Sequence, residues 1–536
     1  MSEVRFDNAT IWAGTPPQPL RGWLQLRSGV VAAVGAGEPP PCTDIRDLAG
    51  QHILPGFVDA HSHLTVSAWM PRTIDASGWI SSKDIVLEIA KEVAVRPDAT
   101  WLLAMGADLD IFRSRCPRPD DLDQAAGGRP VVIADFSLHR SLLSGAALRA
   151  LADAGFGGSA DIDRRFGRPT GMVWESAHAA ALQLALGSLA QSIGEHGRQE
   201  LLDREAERHL ACGITACHDP CVPPSLAGEL EALRTRSPLR LSWSMVAEGG
   251  ILDPAAQSEL CSSCGEGPAS AKLFMDGAHR CALCLSPGHV LHMMGRAAAA
   301  AFRGDMRPVA SLTAYKSVYR DGTFHLPYQR METADLTKRL ELLATNGVRP
   351  KIHAVGNNAA VCTADALNEV GTINATLEHL TFLSDRDVGR VARASAVASM
   401  QPGFINRFGG DILSRGMTPR LRAYPIASLR RAGVAVALSS DNPCGPLCPL
   451  GNIRMAVTRQ LADGRVVDAR EAISLAEAIE AYTSTGHRAI HGHAGQGIAT
   501  GAVADLTIIS GDPLAAETHV VETWIAGRQV WKAAGC

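Results

Sequence analysis

Through the middle of the chain, short apolar runs alternate with amphipathic stretches, and a turn closes each run. In order they are Gly56–His63, Gly213–His218, Leu239–Met245, Ala271–Gly277, Lys351–Gly356, Ala375–His379, Val397–Met400 and Val434–Asp441. Runs this short and this continuously apolar read as buried parallel strands. The stretches between them carry helical spacing, as in Ala334–Asn346, which stops on Asn346-Gly347, and in Glu471–Tyr482. The count of strands closes at eight, which predicts an α/β fold of the (β/α)8 TIM-barrel type.

Two further apolar runs, Trp101–Met105 and Pro130–Asp135, fall between the first and second barrel strands. The span that holds them is far longer than an ordinary strand-to-helix connection, so it predicts an inserted subdomain over the barrel mouth. Both ends of the chain alternate short strands with Gly and Pro turns: Val4–Phe6, Thr10–Trp12, Trp23–Leu26 and Val30–Val34 at one end, Gly501–Ile509 and Val521–Trp531 at the other. Neither end has enough apolar area to stand alone, which predicts one composite β-sandwich from both termini. The expected division is residues 1–55 and 487–536 for the sandwich, 56–68 for barrel strand 1, 69–200 for the insertion and 201–486 for the rest of the barrel.

Chemistry-bearing residues stand at the tips of these strands. His61 and His63 are one residue apart, so on a strand both imidazoles leave the same face and converge on one ion. Lys272, His353, His379 and Asp441 lie on or end four more runs. Polar groups at the C-terminal tips of successive strands are what a barrel uses to build a site.

The ordered set His-x-His, Lys, His, His, Asp, with the phrases GFVDAHSH, KLFMDG, HAVGN, LEHL, SMQP and SSDNP around it, resembles the amidohydrolase superfamily in its family 3 branch. The resemblance runs from about Phe6 to Trp531. It implies a metal centre of His61, His63, Lys272, His353, His379 and Asp441, with Lys272 as a carbamate formed from CO2. One departure is Asn357, where the branch commonly has Asp. Glu175 competes for the bridging position. The ion expected from imidazole and carboxylate donors is zinc, as one or two ions, with Mn, Fe or Co less favoured.

Such an ion activates water near neutral pH, and Asp441 is placed to hold that water and move its proton, while His379 or His353 polarises a carbonyl. The expected reaction is hydrolysis of an amide, formamide, carbamate or cyclic amide C–N bond; N-substituted formamide deformylases are the nearest chemistry in the branch. Two other readings stay open: metal-dependent decarboxylase, lyase or isomerase chemistry on the same fold, and a non-catalytic scaffold. Candidate substrate contacts are His139, Trp174, Glu175, His218, Asp276 and Arg280, with His279, His289, His292 and Arg407 as weaker candidates.

Composition narrows the partners. A net charge of −4 with dispersed Lys and Arg does not suit a polyanion, and no apolar run approaches a membrane span. A small-molecule substrate, a homodimer and a cytoplasmic location are expected. The 13 cysteines are scattered and odd in number, so they read as reduced thiols. Cys261-x-x-Cys264 and Cys281-x-x-Cys284 have zinc-ribbon spacing, but the strand carrying Lys272 lies between the pairs and separates them by roughly 25 Å.

Overall fold

The computed structural model describes residues 3–110, 116–245, 269–278, 280–306, 309, 317–371, 373–415 and 421–534. Cys261, Cys264 and His279 lie outside the described residues. Eight parallel strands form one sheet: β1 (Phe57–Asp59), β2 (Ile214–Val222), β3 (Arg240–Met245), β4 (Ser270–Phe274), β5 (Arg349–Ala354), β6 (Thr376–His379), β7 (Val397–Met400) and β8 (Val436–Leu438). Each pairs with its neighbours in that order. The seam between the first and last strands is held just beyond their tips: the Asp441 N–H donates to the His61 carbonyl, and the His63 N–H to the Asn442 carbonyl, both at 2.8 Å. Asp59 adds to the seam, its Oδ1 accepting the Ser440 N–H at 3.0 Å.

The register explains how an apolar-looking barrel holds so many polar groups. Residues paired across parallel strands share a face, so Lys272, Lys351 and Thr376 form one row and Phe274, His353, Glu378 and Ser399 another. All but the half-buried Phe274 are buried. Apart from His379 beside Glu378, their neighbours in sequence are apolar, which masked this polar face. At the N-terminal ends of the strands the helix Ser484–His491 supplies carbonyl acceptors. The Lys351 Nζ donates to Ala489 O at 3.1 Å, and Arg349 donates to Ile490 O. Burial pushes Lys351 down to about 7.

Strands from both termini join in a single eight-stranded sheet, His52–Pro55 pairing with Glu3–Ala13 on one side and Leu506–Ile509 on the other. The expected contribution of both ends is present; hydrogen bonding runs through all eight strands as one sheet and does not divide into two. The sheet nevertheless curls. Phe6 and Trp524 sit three strands apart, roughly 14 Å along a flat sheet at 4.8 Å per strand, yet their rings meet edge-on at 5.2 Å. Ile11, Leu24, Ile53 and Ile508 fill the same core. Asp505 accepts from Arg240 at 3.0 and 3.1 Å and from the Ala526 N–H at 2.7 Å, an anchor between this sheet and the foot of β3.

A second compact unit contains Leu64–Glu205. Its six-stranded sheet includes Leu102–Ala107 and Val131–Asp135, the two apolar runs left over from the barrel count. Both faces are covered: Leu102, Ala104, Val131 and Ile133 enter one core, and Leu103, Met105, Val132 and Ala134 another. Coverage on both sides is why these strands read as unbroken apolar runs.

Gly213 is the joint between β2 and the terminal sheet. Its φ is +78°, and an added Cβ would stand 2.4 Å from Thr507 Cγ2, while its carbonyl accepts from Thr507 Oγ1 at 2.7 Å and from the Phe57 N–H at 3.1 Å. Left-handed backbone and overpacking each cost about 1–2 kcal/mol or more for an L side chain. Gly213→Ala is therefore expected to lower unfolding free energy by about 2–4 kcal/mol, read as a fall in urea midpoint; an unchanged midpoint would contradict this account of the joint.

Candidate metal centre

The side chains of His61, His63, His379 and Asp441 meet where β1, β6 and β8 end. Asp441 Oδ1 lies 3.4 Å from His61 Nε2 and 3.1 Å from His63 Nε2, and its Oδ2 lies 3.9 Å from His379 Nδ1. The rings of His61 and His379 are 5.0 Å apart, those of His353 and His379 4.4 Å. His353 joins the group by that contact. Lys272 is buried on the neighbouring strand, its Nζ 5.4 Å from the Phe274 ring centroid.

Hydrogen bonds to neighbouring side chains fix the tautomers of two of the rings. His61 Nδ1–H donates to Glu378 Oε2 at 2.7 Å, and His379 Nδ1–H donates to Gln401 Oε1 at 2.8 Å. A carboxylate or carbonyl oxygen only accepts, so each Nδ1 carries the proton and each Nε2 keeps its lone pair. Gln401 is held in turn by Ser439 Oγ at 2.9 Å. Two of the residues also adopt left-handed backbone, His379 with φ 77° and Asp441 with φ 54°. Non-glycine residues hold that conformation at a cost, which the surrounding structure has to carry.

The electrostatics are those of a charge cluster kept from water. Burial works against the ionised Asp441, but His61 and His63 overcome it and hold the carboxyl well below its usual range. Burial, with His61 and Lys272 nearby, pushes His379 down to about 3. For His61, burial and Lys272 oppose protonation, while Glu378 and Asp441 prevail and raise its pKa.

A divalent cation fits this donor set. Asp441 Oδ1 is buried and makes no aligned hydrogen bond, although two imidazole Nε2 atoms stand within 3.4 Å of it. A carboxylate oxygen this close to two imidazole nitrogens calls for positive charge between them, and a divalent cation held by the nitrogens and the carboxylate supplies it. Among the described residues, His61, His379 and Asp441 are the group whose ligand atoms all lie within 4.8 Å of one another.

Several expected contacts have other roles. Asp276 is fully buried, its Oδ1 accepting the Val355 N–H at 2.9 Å and lying 3.9 Å from His353 Nε2, and its Oδ2 accepting the N–H groups of Gly356 and Ala282 at 2.8 and 2.9 Å. It clamps the turn that follows His353. His218 is likewise spoken for, Nδ1 by Ser242 Oγ at 2.8 Å and Nε2 by Ser244 Oγ at 2.9 Å. Burial drives it well below its ordinary pKa, so it is a neutral core histidine. His289 completes a capping box with Ser286 at the start of helix Pro287–Ala301. Arg280 lies over the Tyr328 ring at 5.7 Å, and His292 and Arg407 are exposed.

Asn357 does not orient His353. Its Oδ1 accepts the Cys284 N–H at 2.9 Å, and its Nδ2 donates to Cys284 O at 3.0 Å and Asp387 Oδ2 at 3.3 Å. An aspartate there would lose both donations and set two carboxylates together.

In the Leu64–Glu205 unit, His139 Nδ1–H donates to Glu175 Oε2 at 2.8 Å, and Arg140 lies over the Trp174 ring at 5.5 Å. Glu175 has φ 41°. Beside them His178 shares a 2.7 Å hydrogen bond with Ser141 Oγ.

Glu378 and Gln401 were missed as positioning residues because each sits inside a phrase whose other members drew attention. The available signal was an acid at an interior position of a buried strand. Glu378→Gln exchanges an ionic acceptor for a neutral one behind His61, so metal affinity is expected to fall about 10–100-fold; metal retained against increasing chelator measures it, and unchanged retention would refute the positioning role. For His178, burial first, then His139, lowers the pKa to about 4 from an ordinary 6.5. A histidine depressed on folding contributes stability above the unfolded value that is lost as pH falls through the folded one. Wild type is therefore expected to lose up to about 3 kcal/mol between about pH 6.5 and pH 4 that His178→Gln does not lose, as unfolding curves at several pH values would show.

The family model described as amidohydrolase family matches residues 44–531. Along 98% of its length the chain is 26% identical to an N-substituted formamide deformylase of Arthrobacter pascens, 98% of which is covered. A solved metal-dependent hydrolase of uncharacterised function from Pyrococcus horikoshii superposes with a TM-score of 0.67 at 20% identity, covering 96% of this chain and 99% of that one. An N-isopropylammelide isopropylaminohydrolase from Burkholderia multivorans gives 0.51 at 15% identity with 99% of each chain covered. With the barrel, the polar strand tips and the family match in agreement, the chain belongs to the amidohydrolase family and is, at that level, a metal-dependent hydrolase.

Proposed function

We propose that this enzyme hydrolyses the C–N bond of a small amide, with an N-substituted formamide as the leading candidate and N-acyl, carbamate and cyclic amides as the wider class. The observation that carries the reading is Asp441, an ionised carboxylate with one buried oxygen between the Nε2 atoms of His61 and His63. The similarity to the Arthrobacter pascens deformylase along the whole chain supports the formamide.

His61, His63, His379 and Asp441 would hold the metal, zinc being favoured by the imidazole and carboxylate donors; His353 would complete the set, with Lys272 as a carbamate if two ions are bound. When bound, the cation supplies Lewis acidity toward water and a carbonyl oxygen. The residues do the rest. Asp441 orients the attacking water and takes its proton as the C–O bond forms, then delivers that proton to the departing nitrogen as the C–N bond breaks. Carboxylic acid and amine leave, and atoms and charge balance. His353, where it is not needed to hold the cation, would be the ring available to polarise the carbonyl oxygen, since both nitrogens of His379 are committed, Nδ1 to Gln401 and Nε2 to the metal.

Purified protein reconstituted with zinc is expected to release amine from N-substituted formamides faster than from the other amides in a panel. Asp441→Asn keeps the size of the side chain but removes the proton acceptor, so kcat is expected to fall about 10²–10⁴-fold. Absence of amine release across the panel, with metal bound, would refute C–N hydrolysis.

A further inference from the structure

The residue between two of the metal-bearing histidines is itself held. His61 and His63 bring their rings together, 5.3 Å apart, while the side chain of Ser62 between them is bonded elsewhere. Its Oγ shares a 3.1 Å hydrogen bond with His209 Nε2, and its N–H donates to the His218 carbonyl at 3.0 Å. Ser62 and His209 are both fully buried. A turn of residue 62 about the chain axis would swing both flanking imidazoles, so a bond on its side chain sets the angle of the two rings together.

The residue just before His209 reaches the other half of the centre. Arg208 and His209 lie in the last turn of helix Glu175–Ala211, and Arg208 Nη2 donates to Asn442 Oδ1 at 2.8 Å. Asn442 directly follows Asp441 and is buried. Its main chain is tied as well, the N–H donating to Ser440 Oγ at 3.0 Å and the carbonyl accepting the His63 N–H at 2.8 Å. The helix end has two further anchors: Cys212 Sγ donates to Leu447 O at 3.0 Å, and the Leu210 carbonyl accepts from Thr523 Oγ1 at 2.7 Å. The Arg208 and His209 bonds alone among these end on residues adjacent to the metal-bearing side chains.

Successive residues of a helix point about 100° apart, so one turn can present two neighbours to two different segments. The mutual placement of those segments is what the centre depends on. Asp441 Oδ1 stands 3.4 Å from His61 Nε2 and 3.1 Å from His63 Nε2, and a metal site holds its ligand distances to within about 0.2 Å. The backbone bonds of the barrel seam fix the spacing of the two main chains. His209 and Arg208 restrain, through side chains, how each is turned.

We propose that Arg208 and His209 are positioning residues for the metal centre. One helix turn holds the Asp441 carboxylate, through Asn442, and the His61 and His63 imidazoles, through Ser62, in the arrangement that a cation needs. The inference rests on the metal-dependent hydrolase reading and adds to it two residues that act only through their neighbours.

The test loads the full chain with Co2+, whose visible absorption follows the geometry of its ligands, and measures the metal retained against increasing chelator. Arg208→Met, at an exposed position, and Ser62→Ala, which removes one hydroxyl, are each expected to weaken retention about tenfold, the lower end of the loss when an outer partner of a ligand is removed, and to alter the Co2+ spectrum. Arg208→Lys keeps a cationic donor toward Asn442 and is expected to restore both. His209→Leu is expected to match Ser62→Ala, and the two together to lose no more metal affinity than either alone, since they remove one bond. Thr523→Val takes a hydrogen bond from the same helix end on the side of the terminal sheet; it is expected to lower Tm and leave spectrum and retention as in wild type. Wild-type spectrum and retention in both Arg208→Met and Ser62→Ala would overturn the proposal, as would losses that Thr523→Val reproduces at an equal fall in Tm. Both readouts precede turnover, so variants that shift the Co2+ spectrum as expected in a chain that releases no amine would support the positioning role and count against C–N hydrolysis alone.

Discussion

The seam between the first and last strands of the barrel is the constraint on which the site depends. His61 and Asp441 are far apart in sequence, yet the Asp441 N–H bonds to the His61 carbonyl and the Asp59 carboxylate bonds to the Ser440 N–H. These bonds set the positions from which the two side chains point at each other. The left-handed backbone at Asp441 follows from that closure: the chain leaving β8 has to turn inward within one residue to place its carboxylate between two imidazoles. Backbone strain at this point is carried by the closed barrel around it, since relaxing φ would break the seam.

Behind the seam, each imidazole has its own restraint. Glu378 holds His61, Gln401 holds His379, and Asp276 holds the turn after His353. They differ in kind. A carboxylate behind His61 makes that ring a stronger donor to a cation, whereas an amide behind His379 orients it without adding charge. The same arrangement bears on the polar interior: the Glu378 carboxylate is favoured by both Lys272 and Lys351 and in turn favours the charged form of Lys351, while the two lysines oppose each other.

The strands and the principal site residues were legible because a barrel strand buried on both faces leaves a run of apolar residues and because the site lies at the ends of those runs. The two strands of Leu64–Glu205 were legible for the same reason. What escaped was decided by side-chain direction and by backbone partners. His218, in the phrase His-Asp-Pro, looks like a pocket residue, but its direction depends on which strand residues face inward, and Ser242 and Ser244 on the next strand take both its nitrogens. Asp276 follows the Lys272 strand and looks like a substrate contact; only the fold shows three N–H groups from two other segments arriving at its oxygens. Period-two reading cannot rank such roles, because it gives a face and not a partner.

Asn357 shows how one departure from a family pattern acquires a physical reason. An amide is the side chain able to accept from one backbone group and donate to another, and Asn357 does both to Cys284 while also donating to Asp387. A carboxylate in its place would accept from Cys284 but would leave the Cys284 carbonyl without that donor and would repel Asp387 at close range. The substitution therefore goes with Asp387, whose own Oδ2 caps the helix Asp385–Arg393 through Ser384. With Asp276 already clamping the turn beyond His353, position 357 is released from orienting a ligand and serves to fasten the Cys284 segment beside it. Asn357 therefore belongs to the packing of the Cys284 segment against the helix Asp385–Arg393.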